Sequence, residues 1–152
     1  MKKNSILSIL LFSILFIGCD KKTDKSNYPI EIEITNLNMG FSSCWENIGL
    51  TTIQIINSSE EFNHYFPCKV GLSISIDFSK YSLIVFNVAD CNVDSYVEKL
   101  SLQQLSANKY LFTADVIPSI TANAAPLIVS VLVPKISETV SMDLVINRIT
   151  DR

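Results

Sequence analysis

Residues 96–116 read YVEKLSLQQLSANKYLFTADV, two runs of alternating apolar and polar residues around the short link Ser106-Ala107-Asn108. In the first run Tyr96, Leu100 and Leu102 fall on one side, with Lys99, Ser101 and Gln103 on the other. In the second, Tyr110, Phe112, Ala114 and Val116 alternate with Leu111, Thr113 and Asp115. A period of two puts successive side chains on opposite faces of an extended chain. So short a polar link then predicts a hairpin with one dry and one wet face.

The same period recurs on both sides of this hairpin. Ile30, Ile32 and Ile34 alternate with Glu31, Glu33 and Thr35, and Val140, Met142, Leu144 and Ile146 alternate with Ser141, Asp143 and Asn147. Thr51 to Ile56 is β-branched, and Leu83 to Val88 and Leu127 to Val133 are nearly continuous apolar runs. Such runs suit strands buried on both faces. Pro118 to Pro126 has no period and two prolines, and reads as a long crossover. One segment has a different spacing. Ser58-Ser59-Glu60-Glu61 has the capping-box form, Phe62, Tyr65 and Phe66 follow at helical intervals, and Pro67 ends the run. A helix over 59–66 is predicted. Seven strands and one short helix define an all-β, mainly antiparallel sandwich or partly open barrel, a single domain over 29–152. Its expected inward residues are Ile53, Ile55, Phe62, Leu83, Val85, Phe112, Val129, Val131, Leu144 and Ile146.

The amino end follows other rules. Met1-Lys2-Lys3 is a positive n-region, and Ile6 to Ile17 is an apolar stretch too short to span a bilayer comfortably. Phe16-Ile17-Gly18-Cys19 then has the form of a lipobox. In that chemistry the Cys19 thiolate takes a diacylglyceryl group, cleavage leaves Cys19 first, and further acylation secures the anchor. Residues 1–18 therefore read as a signal peptide, and 19–28 as the lipidated Cys and a flexible polar tether. The expected place is the bacterial cell envelope, on the outer membrane, with the leaflet left open. Losing Lys2 and Lys3 makes a chain of net charge −3 more acidic still. With no cluster of Lys and Arg to neutralise phosphates, a nucleic-acid partner is not expected.

Several strings resemble small lipoproteins of Bacteroidota: Ile55-Ile56-Asn57-Ser58-Ser59-Glu60-Glu61-Phe62, Asp77-Phe78-Ser79-Lys80-Tyr81-Ser82-Leu83, 102–110, Val133-Pro134-Lys135 and Cys44-Trp45. The likeness spans roughly residues 44 to 149. The order strand, Ser-x-Glu-Glu helix, Asp-Phe-Ser-Lys, buried strand is also loosely similar to a C-terminal domain of protease-complex subunits. That domain often has a Gly-rich segment after the buried strand, whereas residues 87–96 here contain no glycine. The resemblance implies compartment and fold, and no named activity.

Of four cysteines, Cys19 is assigned to lipid. Cys44, Cys68 and Cys91 remain, in an exported and oxidising setting where disulfides persist. A Cys44–Cys68 bridge would tie the entry segment to the end of the helix, leaving Cys91 as a buried or partly buried free thiol. The alternative is three reduced thiols. With His64, the only histidine, the same cysteines could in principle form a zinc set, but the spacing has no C-x-x-C pair. Asp90-Cys91-Asn92-Val93-Asp94 opens like a calcium loop, yet Ser95 and Ser101 stand where Gly and Glu are needed. A polar turn is the better reading. No nucleophile elbow accompanies His64. No cofactor, metal or catalytic residue is assigned.

Phe41 and Trp45 flank Cys44, either as anchors for a partner or as a cover for the open end of the sandwich. The favoured role is a non-catalytic binding or accessory module of the envelope, held to the membrane through lipid on Cys19, with a protein or glycan partner. The alternatives are a structural or protective envelope protein, or an unrecognised hydrolase or metal-binding protein.

Overall fold

The structure is a computed structural model, and it describes residues 27–37, 39, 44–46, 48–49, 52–68, 74–121 and 123–150. The signal segment, Cys19, most of the tether and Phe41 lie outside the described residues. The strands are β1 (Ile30–Ile32), β2 (Thr35–Asn36), β3 (Ile53–Ile56), β4 (Tyr81–Val88), β5 (Tyr96–Ser106), β6 (Lys109–Ile117), β7 (Leu127–Pro134) and β8 (Ser141–Arg148). The helix α1 (Ser59–Tyr65) lies between β3 and β4.

The strands form two four-stranded sheets, ordered β1-β5-β6-β8 and β2-β7-β4-β3. Neither closes into a barrel, so the sandwich reading holds. Every pairing is antiparallel except β6 with β8. The 96–116 hairpin forms the middle of the first sheet. Its dry face meets β4 and β7 of the second, where Ile84, Phe86, Val88, Phe112, Ala114, Val116, Val129 and Val131 are buried together. Phe86 and Phe112 meet edge to face at 5.2 Å.

The nearly continuous apolar run of β4 is explained by a second core. Leu83 and Val85 face away from the first sheet and pack with Ile56, Phe66, Trp45 and Met39 beneath α1. Ser58 caps α1 by accepting from the Glu61 N–H at 3.1 Å. The Glu61 carboxylate reaches back to the Asn57 N–H at 2.6 Å, one residue earlier than a strict capping box requires.

Two local details depart from the sequence reading. The alternation over 30–35 is not one strand. Ile30–Ile32 pairs with β5, the chain crosses at Glu33-Ile34, and Thr35–Asn36 pairs with β7 in the other sheet. Tyr96 does not share the inner side with Leu100 and Leu102. The β5–β6 register jumps between Val97↔Val116 and Lys99↔Asp115, an added residue that shifts the alternation by one. Val97 therefore packs against the core, and Tyr96 is 50% exposed. The described residues of the 118–126 crossover, 118–121 and 123–126, form no helix, and 123–125 are stitched to the 91–93 turn by the Val93 N–H to Asn123 O and Ala125 N–H to Cys91 O bonds, both 3.0 Å.

Candidate functional site

Cys44 and Cys68 are joined by a disulfide, with Cα atoms 5.2 Å apart. It pins the entry segment to the end of α1, where the Glu46 N–H also donates to the Tyr65 carbonyl at 2.8 Å. Trp45 is only 8% exposed, with its ring 4.8 Å from Phe66 and 6.3 Å from Phe62. It is a cover for the second core and not a ring presented to a partner. The exposed His64 lies edge-on to Tyr65 at 5.1 Å. Four residues on, Cys68 has its sulfur committed to Cys44, so the His64/Cys68 spacing offers no thiolate to a metal.

The calcium-like turn is built around hydroxyls. Ser95 Oγ accepts from the backbone N–H of Asn92 at 2.9 Å and of Ser119 at 3.0 Å. The Asn92 amide is turned inward to the Ser119 carbonyl at 2.7 Å. Asp90 takes a left-handed φ of 51°, which an aspartate tolerates better than most residues. Arg148 holds the turn from below, donating to the carbonyls of Ala89 at 2.6 Å and Asp90 at 3.2 Å. Among the described residues, no three of His, Cys, Asp and Glu converge as a metal set would. Beside this turn lies a cleft of about 260 Å³, with Ala124, Ala125 and Pro126 on one wall and Asn87 and Cys91 on the other. Cys91 is a free thiol, buried, and burial pushes its pKa up.

The more informative feature is the flank where the chain crosses between sheets. The crossing segment closes only one end of this flank. β1 covers β5 at Leu102–Gln104 alone, and β2 covers β7 at Val131 and Leu132, with Leu37 N–H adding a bond to Ser130 O at 3.0 Å. The Met39 N–H donates to Leu37 O at 2.6 Å, and Met39 is buried in the second core.

Beyond that point no described residue closes the seam between the sheets. One hollow of about 290 Å³ is bordered by Asn36, Leu37, Tyr96, Val97 and the Leu127–Ser130 edge of β7. A second of about 220 Å³ shares Asn36 and Val97 and continues along β5 to Leu100. Ser130 O points to β2, so by the alternation of a strand the N–H and C=O of Ile128 point the same way, into the groove. No ladder partner meets them among the described residues. The groove thus offers backbone donors and acceptors and Tyr96, on walls that mix polar and apolar side chains. Sequence reading missed it because Asn36, Tyr96 and Ile128 have no motif in common. Their proximity depends on the strand break at 33–34 and the bulge in β5.

No family model, curated protein or solved structure matches the chain.

Proposed function

We propose that this chain is a lipid-anchored bacterial envelope protein whose domain is a non-catalytic module that binds a protein or glycan partner. The observation that carries this reading is the open seam. It places the outer edge of β7 around Ile128, which has no ladder partner among the described residues, beside a half-exposed tyrosine in a groove that continues along β5. Strand addition at such an edge takes affinity from main-chain hydrogen bonds and selectivity from the side-chain pockets on either side. The Cys44–Cys68 bridge supports an exported, oxidising location. The Phe16–Cys19 lipobox supplies the anchor.

Two measurements test the halves of this proposal separately. Metabolic labelling with palmitate should mark the full chain and fail on Cys19→Ala, which should also move to the aqueous phase in detergent partitioning. Continued membrane retention of Cys19→Ala after high-salt washing would remove the anchor. For binding, a photocrosslinking amino acid at Tyr96 should give a discrete adduct in cells that the same group at the exposed Glu60 on α1 does not. Equal adducts from both positions, or none, would favour the structural-protein alternative.

A further inference from the structure

The far side of the first sheet ends on β8, and its edge is built differently from the seam. β8 pairs with β6 without interruption, from Lys109↔Ser141 to Val116↔Arg148. The N–H groups of Ser141 and Ile149 donate to Asn108 O and Val116 O, each at 2.9 Å. Odd-numbered residues therefore turn their backbone groups toward β6, and Met142, Leu144, Ile146 and Arg148 turn theirs outward. Among the described residues nothing pairs with that outer row. Proteins usually guard a free edge with a central lysine, a proline or a bulge. The centre of β8 is Leu144-Val145-Ile146, unbulged, with Val145 41% exposed.

We propose that β8 pairs with β8 of a second copy of this chain, antiparallel about a two-fold axis at Val145, to join two four-stranded sheets into one. The register follows from the residues. Outward-facing even residues must meet each other, and the registers that do so over most of β8 are centred on Leu144, Val145 or Ile146. The Leu144 register sets the Asp143 carboxylate against Val145 of the other copy, twice. The Ile146 register sets Val145 against Asn147. Only the Val145 register matches like with like. Leu144 and Ile146 exchange main-chain bonds on the core side, Val145 meets its own copy, and Asp143 lies opposite Asn147.

The last pair is complementary. Asp143 carries a carboxylate held on one side by Lys109 at 3.0 Å. Asn147 spends one amide hydrogen on Asp115 at 2.8 Å, and the amide has a second to give. Pairing thus extends an existing chain, Lys109 to Asp143 in one copy and Asn147 to Asp115 in the other, without setting two carboxylates face to face.

Oxidative crosslinking of the purified full chain tests the register. In this arrangement position 145 is a non-hydrogen-bonded pair, with Cα atoms about 4.5 Å apart, inside the range a disulfide accepts. In a Cys19→Ala background, Val145→Cys should form a disulfide-linked dimer on adding an oxidant, while the background alone, with Cys44 and Cys68 bridged and Cys91 buried, should not. Asp143→Cys alone should stay monomeric, because its own copy is displaced by four residues, about 14 Å along the strand. A mixture of Asp143→Cys and Asn147→Cys should give the mixed dimer. Adding Val145→Lys to both should abolish that dimer by opposing two ammonium groups. Failure of Val145→Cys to crosslink, or Asp143→Cys linking to itself as readily, would overturn the proposal.

Discussion

Removing the Cys44–Cys68 bridge should cost much of this domain's stability. The bond closes a loop with a sequence separation of 24 residues. Chain-entropy reasoning assigns a loop of that size roughly 3.5 kcal/mol at 25 °C, because the reduced unfolded chain gains freedom that the crosslinked one lacks. The native contacts around the bridge limit any offset. Trp45 stays wedged against Phe66, and Glu46 N–H stays bonded to Tyr65 O, so the folded state has little room to relax. The perturbation is Cys44→Ala with Cys68→Ala, compared with wild type by urea unfolding. With a slope of about 1–3 kcal/mol per molar urea, the midpoint should fall by roughly 1.2–3.5 M. Reducing the wild type should lower its midpoint to a similar degree. An unchanged midpoint on both routes would refute the reasoning, as would a Cys68–Cys91 peptide in non-reducing mass analysis.

Three further outcomes follow from the packing. Phe112→Ala, at a fully buried position against Phe86, should destabilise by about 3–5 kcal/mol in the same assay, the range for a large aromatic cut to a methyl in a core. Ser58→Ala should cost about 1 kcal/mol by leaving the Glu61 N–H without its cap, with Ser58→Gly costing less. Cys91 should resist thiol reagents in the folded protein and react at once in denaturant. Because burial raises its pKa, the folded state prefers the neutral thiol. Its contribution is complete below the ordinary thiol range and is lost as pH rises through the folded pKa, so stability should decline in alkali more steeply than in Cys91→Ala.

The strands were readable because each carries its own period, and a strand's period does not depend on its neighbours. That is why Tyr110, Phe112, Ala114 and Val116 could be assigned to the dry face before any partner was known. The disulfide was readable from the sparse cysteines and the helix stop at Pro67. What could not be read is relational. The spacing of Ile30, Ile32 and Ile34 is the same whether they serve one sheet or two, so the crossing at Glu33-Ile34 leaves no trace in the periodicity. The bulge in β5 is a property of its pairing with β6, and Tyr96 was misplaced for that reason. The groove arises from both events together, which is why its residues carried no advance signal.

The parallel union of β6 with β8 also sets an order of events for a chain that leaves the ribosome amino end first. β6 can zip to β5 as soon as the link at 106–108 has formed, but its other edge waits for β8, which follows β7 in the chain. Until Ser141–Arg148 arrives, Phe112 and its neighbours lack the flank that Met142, Leu144 and Ile146 provide. Non-local pairing of this kind is slow relative to a hairpin. Without β8 the chain therefore has a sticky edge beside its main core, and losing Ser141–Arg148 to proteolysis would return it to that state.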